Sequence, residues 1–322
     1  MESRLHVAIL TGGPSAERSV SERSAKLVAD HLNPEKYSWR LIHVDADGWF
    51  EDSTRQKMDQ NDFSLIIEGK RETFDFVFLM IHGTPAEDGK IQGYLEMKNL
   101  PHSTCDTLSA SLSFNKQKCK DFLRSFNIPL AASIILRRSS KIRMDEILKL
   151  GLPMFIKPNC NGSSYGISKV KSEADVRAAI EHAFEYDDEV IIESFLEGRE
   201  FGCGVVKERD VLHAFPITEI IPKAEFFTYE AKYEGASEEI TPATISQELS
   251  VQCQDRSKEI YERLACRGVV RFDYILVGDI FYLLEANTIP GMSPASIIPQ
   301  QATSYGWTIS HLLDVIIENC IG

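Results

Sequence analysis

Hydrophobic and polar positions along the chain predict strands and helices that alternate. Buried strands are predicted for LHVAIL at 5–10 and for FDFVFLMIHG at 74–83, and a helix is predicted from Val20 to Leu32. A glycine-rich loop, TGGPSAERS, separates the first strand from this helix. Strand, loop, helix and strand in this order are typical of a parallel sheet. The beginning of the chain therefore predicts an α/β domain with a parallel sheet.

The rest of the chain continues the alternation of strands and helices. Helices are predicted over 115–127, 172–184 and 246–266, and a strand is predicted over 189–198. The polar and aromatic segment 223–243 has no regular pattern, which predicts a long functional loop. These elements divide into three α/β units, which are residues 1–102, 103–192 and 193–322.

One predicted hairpin, VVRFDYILVGDIFYLLEANTIPGM at 269–292, carries polar side chains on apolar strands. Because side chains alternate along a strand, Arg271 and Asp273 share a face, and so do Glu285 and Asn287. Two half-buried carboxylates repel each other and lose hydration unless a cation is present. Carboxylate and amide oxygens suit a divalent ion such as Mg²⁺, which shares its shell with substrate phosphates. The same residues also fit an edge hairpin with a solvated polar face, so both alternatives stay open.

Further candidate ligand-binding residues lie at the ends of other predicted strands. Lys157 ends the strand MFIK before the loop PNCNGSSYG, where backbone N–H groups and the ammonium group can bind phosphate. Glu193 and Glu200 can accept hydrogen bonds from an adenine amino group and from ribose hydroxyls. Glu17 can hold an ammonium group, and His82 follows a strand end. Each of these residues also fits an ordinary turn, either solvated or hydrogen-bonded to the backbone.

Composition argues against several classes of protein. Of the 322 residues, 43% are hydrophobic and 26% are charged, which is ordinary for a globular protein. The net charge of -13 argues against a nucleic-acid-binding surface, and no apolar run approaches the ~20 residues that cross a bilayer. The seven cysteines are scattered and form no C-x-x-C pair. We therefore expect reduced thiols in a cytoplasmic protein, with neither a disulfide framework nor a zinc site.

Seven ordered motifs resemble those of one enzyme family. They are LTGGPSAERSVS, HGTPAEDG with a following QG, KP with NGSSYGISKV, EGREF, YEAKY, RFDY and LLEANTIPGMSPASIIPQ. Over essentially the whole chain, their order and spacing resemble those of D-alanine–D-alanine ligases in the ATP-grasp superfamily. The resemblance implies a three-domain α/β fold with the nucleotide between two sheets. It also implies cytoplasmic synthesis of D-alanyl-D-alanine from ATP and D-alanine, for peptidoglycan, by a homodimer. From the composition above we expect neither a nucleic-acid nor a membrane partner.

The resemblance implies roles for the polar residues of the hairpin. Asp273, Glu285 and Asn287 match the family's ligands for two Mg²⁺ ions, which Mn²⁺ can replace. Arg271 matches the arginine that contacts the transferred phosphate and the reacting carbonyl. The backbone N–H of Gly291 matches the second group of that oxyanion site.

The resemblance also implies a site for the first D-alanine. Glu17 matches the carboxylate that holds its ammonium group, in a hydrogen-bonded triad with Ser163 and Tyr233. His82 matches a residue near the same substrate. The triad, Arg271 and Gly291 form the implied catalytic site, and His82 belongs to the implied substrate-binding site.

The second substrate and the nucleotide have their own implied sites. Ser296 and Ile297 match the pocket for the carboxylate of the second D-alanine. The residues implied to bind ATP are Lys116, Lys157, Ser164, Glu193, Ser194, Phe195, Leu196, Glu200, Phe226 and Lys232.

Three positions depart from the family pattern. Ala86 replaces the second glycine of H-G-x-x-G-E-D-G, Asn115 replaces an aspartate, and Cys160 lies in the phosphate loop, where a thiol beside positive charge can be reactive. Ligases that form D-alanyl-D-lactate or D-alanyl-D-serine remain alternatives, as do other ATP-grasp ligases and a non-catalytic nucleotide-binding regulator. Tyr233 within YEAKY favours the dipeptide product.

Overall fold

Three β-sheets, each with its own apolar core, organise the part of the chain that the computed structural model describes. This part comprises residues 4–162, 165–222 and 237–321. Within it, no helix is both long enough and apolar enough to cross a membrane.

The first sheet is mainly parallel. Its strands are β1 (Leu5–Gly12), β2 (Tyr37–Asp45), β3 (Gly48–Glu51) and β6 (Phe76–Leu79), in the order β3-β2-β1-β6. Strand β1 pairs in parallel with β2 and β6, so the three strands end at one edge. This arrangement confirms the predicted parallel sheet, and helix α1 (Arg18–His31) packs against β1. The other elements of this region are β4 (Leu65–Ile67), β5 (Lys70–Glu72) and α2 (Lys90–Met97).

The second sheet is antiparallel and lies in the middle of the chain. Its strands are β7 (Ser133–Arg137), β8 (Met154–Pro158), β9 (Ser168–Val170) and β10 (Glu189–Ser194), in the order β7-β10-β8-β9. Helix α6 (Glu173–Ala183) covers one face, and its apolar side chains join the core of this sheet. A short helix, α5 (Met144–Ile147), adds Ile147 to the same core.

The third sheet is also antiparallel and carries the hairpin. Its strands are β11 (Arg199–Glu208), β12 (Val211–Ala214), β13 (Thr218–Pro222), β14 (Ser237–Ile240), β15 (Val269–Val277) and β16 (Ile280–Asn287). The order is β14-β13-β11-β15-β16, and β12 pairs with β11. Strand β14 lies within the segment 223–243 that the sequence predicts to be an irregular loop, so that prediction is wrong for 237–240. Residues 223–236 of the segment lie outside the described residues.

Three helices line the core of the third sheet. They are α3 (Thr107–Phe114), α4 (Lys116–Arg124) and α7 (Gln247–Arg263). Helix α4 begins where it does because the Asn115 side chain accepts a hydrogen bond from the Lys118 N–H at 2.9 Å. Ser246 caps α7 in the same way, through the Leu249 N–H. The Asn115 cap places Lys116 at the first residue of α4.

The last two helices return to the first sheet. Helices α8 (Ile297–Tyr305) and α9 (Ile309–Ile321) contribute buried apolar side chains to the core around β1. The loop 288–296, which joins β16 to α8, is thereby held against α1, where the Met292 N–H donates to Ser24 Oγ at 3.1 Å. The carboxyl edge of the first sheet thus faces the polar end of the third sheet. The predicted domain boundaries near 102 and 192 stay predictions.

Candidate active site

One cavity of about 380 Å³ brings together residues from distant parts of the chain. It lies where the loops after β1 and β6 meet the hairpin of β15 and β16 and the loop before α8. Eleven residues that the sequence predicts to form the site line it, namely Glu17, His82, Lys116, Glu200, Arg271, Asp273, Glu285, Asn287, Gly291, Ser296 and Ile297. Motifs that lie far apart in the sequence therefore come together around one cavity.

The hairpin of β15 and β16 places its polar side chains opposite each other. Arg271 pairs with Asn287 across the strands and Asp273 pairs with Glu285, around the predicted Gly278 turn. The hairpin lies at the edge of the third sheet, but Asp273 is only 4% exposed, so the alternative of a solvated polar face does not hold for this carboxylate. A bulge follows Asp273, and bulges re-aim side chains next to functional sites.

Arg271 and Asp273 form a buried bidentate ion pair. Arg271 Nε donates to Asp273 Oδ1 at 2.8 Å, and Arg271 Nη2 donates to Asp273 Oδ2 at 2.9 Å. Burial by itself would lower the pKa of Arg271, but the adjacent Asp273 carboxylate raises this pKa above its ordinary value. Asn287 Nδ2 also donates to Asp273 Oδ2, at 2.8 Å. The guanidinium group is therefore permanently charged and fixed in direction at the cavity wall.

The donor atoms of this hairpin fit a hard divalent ion. Asp273, Glu285 and Asn287 offer carboxylate and carbonyl oxygens, which such ions prefer, and all three line the cavity. Among the described residues, no group of three or more His, Cys, Asp or Glu side chains has the spacing of a metal site. Two carboxylates and one amide supply only part of the coordination shell of a divalent ion. The remaining ligands would be other oxygens, such as those of phosphate.

The Glu17 carboxylate lies between two loops that approach it through glycines. A Cβ atom on Gly162 would come within 3.0 Å of Glu17 Oε2, and one on Gly83 within 3.7 Å. The Glu17 N–H donates to Ser15 Oγ at 3.2 Å, and the Ser15 hydroxyl donates to the His82 carbonyl at 2.7 Å. These contacts hold the loops after β1, β6 and β8 around one carboxylate.

His82 is buried and joined to the loop before α8 through one serine. Ser24 Oγ accepts from the Met292 N–H at 3.1 Å and lies 3.3 Å from His82 Nε2. Since the Ser24 oxygen accepts from Met292, its own hydrogen can point to the unprotonated His82 nitrogen. Burial lowers the pKa of His82, although the Glu17 charge opposes this effect. His82 is therefore neutral at pH 7.

Glu87 is a cavity residue that is absent from the predicted site. Its side chain is 15% exposed, and Glu87 Oε1 lies 4.0 Å from His82 Nδ1. Burial, followed by the charge of Glu17, raises the pKa of Glu87 to about 8. This carboxyl is consequently mostly protonated at neutral pH and can donate a hydrogen bond.

Replacing Glu87 by glutamine should flatten the pH dependence of stability. Because folding raises the pKa of Glu87, protonation of this carboxyl stabilises the fold fully below about pH 4. This stabilisation is lost as the pH rises to about 8. Glu87→Gln removes this titration, so its unfolding free energy should exceed that of the wild type at pH 9 by on the order of 3 kcal/mol. Urea unfolding at pH 5 and pH 9 measures the difference. Glu181→Gln, at an exposed position on α6, is the control, and equal pH slopes for Glu87→Gln and the wild type would contradict the assignment.

Two predicted phosphate lysines lie beside the loop after β8. Lys116 Nζ donates to the Asn161 carbonyl at 2.6 Å, and burial lowers the pKa of Lys116, which the charge of Glu285 partly offsets. Lys157 Nζ forms an ion pair with Glu193 Oε2 at 2.5 Å. Burial would lower the pKa of Lys157, but Glu193 raises it above its ordinary value. Both lysines are thus held by groups of the central region.

The predicted adenine segment lies on the second sheet, away from the lining of this cavity. Glu193 and Ser194 end β10, and Phe195 packs against Phe155 with ring centroids 5.9 Å apart. Lys169 Nζ lies 3.7 Å from the centre of the Phe195 ring. Lys157 and Leu196 are also predicted site residues that the structure describes, and neither lines the cavity. Five further predicted residues lie outside the described part of the chain, namely Ser163, Ser164, Phe226, Lys232 and Tyr233.

The three departures from the family pattern have structural consequences. Ala86 is fully buried, and its carbonyl accepts from Gln92 Nε2 at 2.6 Å. Asn115 retains the capping role at the start of α4. Burial, followed by the charge of Asp187, raises the pKa of Cys160 to about 11, which disfavours the reactive thiolate form.

Sequence reasoning missed several charged residues at the site. Arg23 and Glu239 line the same cavity, and Lys120 contacts Glu193. Lys120 follows Lys116 by four residues, so helical spacing would have placed both on one face. Glu239 lies in the segment that showed no strand pattern, and Arg23 lies on α1 among other polar residues.

Known proteins of one enzyme family are similar to this chain. The family models for the D-ala D-ala ligase N-terminus and C-terminus match residues 6–105 and 122–318. The D-alanine–D-alanine ligase of Phocaeicola vulgatus is 42% identical over 318 residues, covering 97% of this chain and 98% of that protein. The ligase of Flavobacterium johnsoniae is 44% identical over 317 residues, covering 97% and 98%.

Solved structures give the same result. The D-alanyl-alanine synthetase A of Vibrio cholerae superposes with a TM-score of 0.90 at 26% identity, covering 100% of this chain and 99% of that chain. The VanG D-Ala:D-Ser ligase from Enterococcus faecalis superposes with a TM-score of 0.89 at 30% identity, covering 98% and 99%. The resemblance seen in the motifs is confirmed over the full length. The chain belongs to the D-alanine–D-alanine ligase family, ATP-grasp enzymes that depend on a divalent metal ion and join two D-alanine molecules with consumption of ATP.

Proposed function

We propose that the cavity described above is where this ligase forms D-alanyl-D-alanine for peptidoglycan synthesis, with the residue roles given below. The observation that carries the proposal is that Glu17, Arg271 and Glu285 line one space. These residues would respectively hold an ammonium group, counter a developing anion and bind the metal that ATP requires. The chemistry needs all three functions within the length of one small substrate.

In the proposed reaction, ATP first activates a carboxylate, which is otherwise a poor electrophile. A carboxylate oxygen of the first D-alanine attacks the γ-phosphorus of ATP, and ADP leaves. The amine nitrogen of the second D-alanine then attacks the carbonyl carbon of the acyl phosphate. The tetrahedral intermediate expels phosphate, and the amine loses one proton. Catalysis rests mainly on positioning, exclusion of water and stabilisation of charge.

Glu17 and His82 would position the first D-alanine. The Glu17 carboxylate lies against Gly83 and Gly162, so a small ammonium group can approach it beside the backbone. Neutral His82, held by Ser24, adds a polar group without a competing positive charge. Ser163 and Tyr233, outside the described residues, are proposed to complete the triad with Glu17.

Arg271 and Gly291 would stabilise the negative charge on the reacting carbonyl. The Asp273 carboxylate fixes the guanidinium fork, so the positive charge is already in place when the anion develops. A Cβ atom at Gly291 would come within 2.8 Å of Ser296 Oγ, which shows how closely the loop packs there. The absence of a side chain leaves the Gly291 N–H accessible to a substrate oxygen.

The second D-alanine is proposed to bind at the start of α8. Ser296 precedes this helix, and Ile297 is its first residue. The Ser296 hydroxyl oxygen accepts from the Ser293 N–H at 3.0 Å. A helix amino terminus attracts a carboxylate through its free N–H groups, so the carboxylate of the second substrate would lie there.

ATP is proposed to bind across the second and third sheets. Lys116, Lys157 and Lys232 would contact its phosphates, together with Ser164. The residues proposed for adenine and ribose are Glu193, Ser194, Phe195, Leu196, Glu200 and Phe226. Lys232, Ser164 and Phe226 among these lie outside the described residues.

Two Mg²⁺ ions, or Mn²⁺ in their place, are proposed at the hairpin. Asp273, Glu285 and Asn287 would hold them, because their oxygens suit hard ions and face the cavity. Such ions neutralise charge on the terminal phosphates of ATP. A cytoplasmic location, a homodimer and the domains 1–102, 103–192 and 193–322 complete the proposal.

An assay of ADP release tests the proposed function. The enzyme is given ATP, Mg²⁺ and D-alanine, and separate reactions contain D-alanine mixed with D-lactate, D-serine or L-alanine. Mass spectrometry should detect D-alanyl-D-alanine as the main product in every mixture. A larger yield of D-alanyl-D-lactate or D-alanyl-D-serine would overturn the choice of second substrate. ADP release that needs no D-alanine would overturn the proposed reaction.

A further inference from the structure

A buried carboxylate beside the phosphate loop is held by two lysines. Lys120 Nζ contacts Glu193 Oε1, and Lys157 Nζ contacts Glu193 Oε2 at 2.5 Å. The side chains of Lys120 and Glu193 are 4% and 8% exposed. One carboxylate needs only one cation for charge balance, so the second lysine requires an explanation.

Two different elements supply these lysines. Lys157 lies on β8 opposite Ile191, two residues before Glu193 on β10, so Lys157 and Glu193 share a face of the sheet. Lys120 comes from α4, one helical turn after Lys116, and reaches the same carboxylate from the other side. Lys120 thus links the helix that presents a phosphate lysine to the strand that presents the adenine segment.

The two lysines have different tasks when a nucleotide binds. Lys157 is a proposed phosphate ligand, and its ammonium group must leave Glu193, at least in part, to reach a phosphate oxygen. A buried carboxylate that loses its cation is strongly disfavoured. Among the residues that the structure describes, Lys120 is the other cation in contact with Glu193.

We infer that Lys120 is a positioning residue that holds the Glu193 carboxylate toward the nucleobase while Lys157 exchanges Glu193 for phosphate. The inference rests on the proposed function, in which Glu193 accepts from the adenine amino group. Lys120 itself touches neither nucleotide nor amino acid in this scheme. Its effect passes through the direction and charge of one carboxylate.

The charges around Glu193 agree with this division of tasks. Burial would raise the pKa of Glu193, but Lys157 and Lys120 together lower it to about 2. Burial lowers the pKa of Lys120, and the Glu193 charge opposes this effect, whereas the pKa of Lys157 is also raised by Glu285 and Glu200 from the third sheet. Glu193 is therefore the carboxylate on which Lys120 acts.

Replacing Lys120 by methionine should weaken nucleotide binding specifically. In Lys120→Met, Lys157 is the remaining cation beside Glu193 and should stay paired with it, so it would not move to phosphate. We therefore expect the KM for ATP and the Kd for ADP to rise at least about tenfold. The kcat at saturating ATP should stay within about threefold of the wild type, and the KM for D-alanine should not change. Steady-state kinetics and calorimetry of ADP binding measure these constants. Lys120→Arg should restore most of the affinity, because it returns the cation.

Lys118→Met is the matched control, since Lys118 is an exposed lysine on the same helix. It should keep wild-type constants. If Lys120→Met does not fold, the double variant Lys120→Met/Glu193→Gln removes both charges and is compared with Glu193→Gln alone. Equal KM values for ATP in these two variants support the inference, and a further rise in the double variant overturns it.

Purine riboside triphosphate, which lacks the adenine amino group, separates this inference from the proposed function. The wild type should bind it at least about tenfold more weakly than ATP, and Lys120→Met should reduce this discrimination to below about threefold. Undiminished discrimination in Lys120→Met, or unchanged KM for ATP, would overturn the role of Lys120. A wild type that does not distinguish the nucleotides would instead show that the proposed Glu193 contact, and the inference built on it, is wrong.

Discussion

Replacing Arg271 by methionine is expected to lower kcat about 10²- to 10³-fold, the usual loss when one oxyanion-stabilising donor is removed. Arg271 is the guanidinium group that Asp273 fixes at the cavity wall, with hydrogen bonds of 2.8 and 2.9 Å. Methionine has a similar length but no charge, so the developing anion loses a preorganised partner. The KM for D-alanine should change less than kcat, because the interaction strengthens in the transition state. Initial rates at varied D-alanine and saturating ATP measure both constants.

Two further variants show whether the loss comes from the guanidinium fork. Arg271→Lys keeps the charge next to Asp273 but loses bidentate geometry, so its kcat should lie between those of the wild type and Arg271→Met. Arg267→Met, at an exposed arginine four residues earlier, should leave both constants unchanged. Arg271→Met leaves the Asp273 carboxylate without its arginine partner. Thermal unfolding of the variant shows whether this loss destabilises the fold. A folded Arg271→Met with a kcat within threefold of the wild type would refute the role of Arg271.

The hairpin could be predicted because its information is local. Strict alternation places Arg271 and Asp273 on one face, and the Gly278-Asp279 turn sets the pairing of β15 with β16. The chain also has apolar runs for β1 and β6, which are buried and are therefore recognisable as strands from the sequence alone. These features fixed the elements on which most of the predicted site lies.

Elements with weak local patterns escaped prediction. Helix α3, TLSASLSF, is rich in serine and threonine, which are poor helix formers, and it starts because the Asp106 side chain accepts from the Ser109 N–H at 2.8 Å. Strand β14, SEEI, carries two glutamates and forms because β13 provides a partner. In both elements, a cap or a tertiary contact outweighs intrinsic propensity.

Contacts between distant residues could not be read from the sequence at all. Ser24 joins His82 to Met292, which lies 268 residues away from it in the chain. Lys120 and Glu193 are 73 residues apart and meet only after α4 packs beside β10. The raised pKa of Glu87 likewise depends on burial next to Glu17. The family resemblance predicts the individual ligands, whereas the contacts that support them are visible only in three dimensions.

Replacing Glu285 by glutamine should abolish turnover, with a fall in kcat of at least about 10³-fold, and should leave the fold intact. Glu285 lies directly opposite Asp273 and faces the cavity, so it is the natural residue to bridge two divalent ions. Glutamine has the same shape but lacks the negative charge, so the site would hold a divalent ion far more weakly. The effect should also appear without catalysis. Wild-type binding of ADP should tighten as Mg²⁺ is added, and calorimetry of Glu285→Gln should show little of this tightening.

Glu285 also acts on the cations around it, which makes the outcome of this substitution decisive. Its charge opposes the burial that lowers the pKa of Lys116, and it contributes to the raised pKa of Arg271. Loss of this charge also removes its repulsion of the ADP phosphates, so ADP should bind more strongly when Mg²⁺ is absent, while the gain from Mg²⁺ disappears. A merely misfolded protein would bind ADP weakly under both conditions. Glu262→Gln, at an exposed position on α7, should behave as the wild type. Near-normal turnover of Glu285→Gln at saturating Mg²⁺ would remove Glu285 from the proposed metal site.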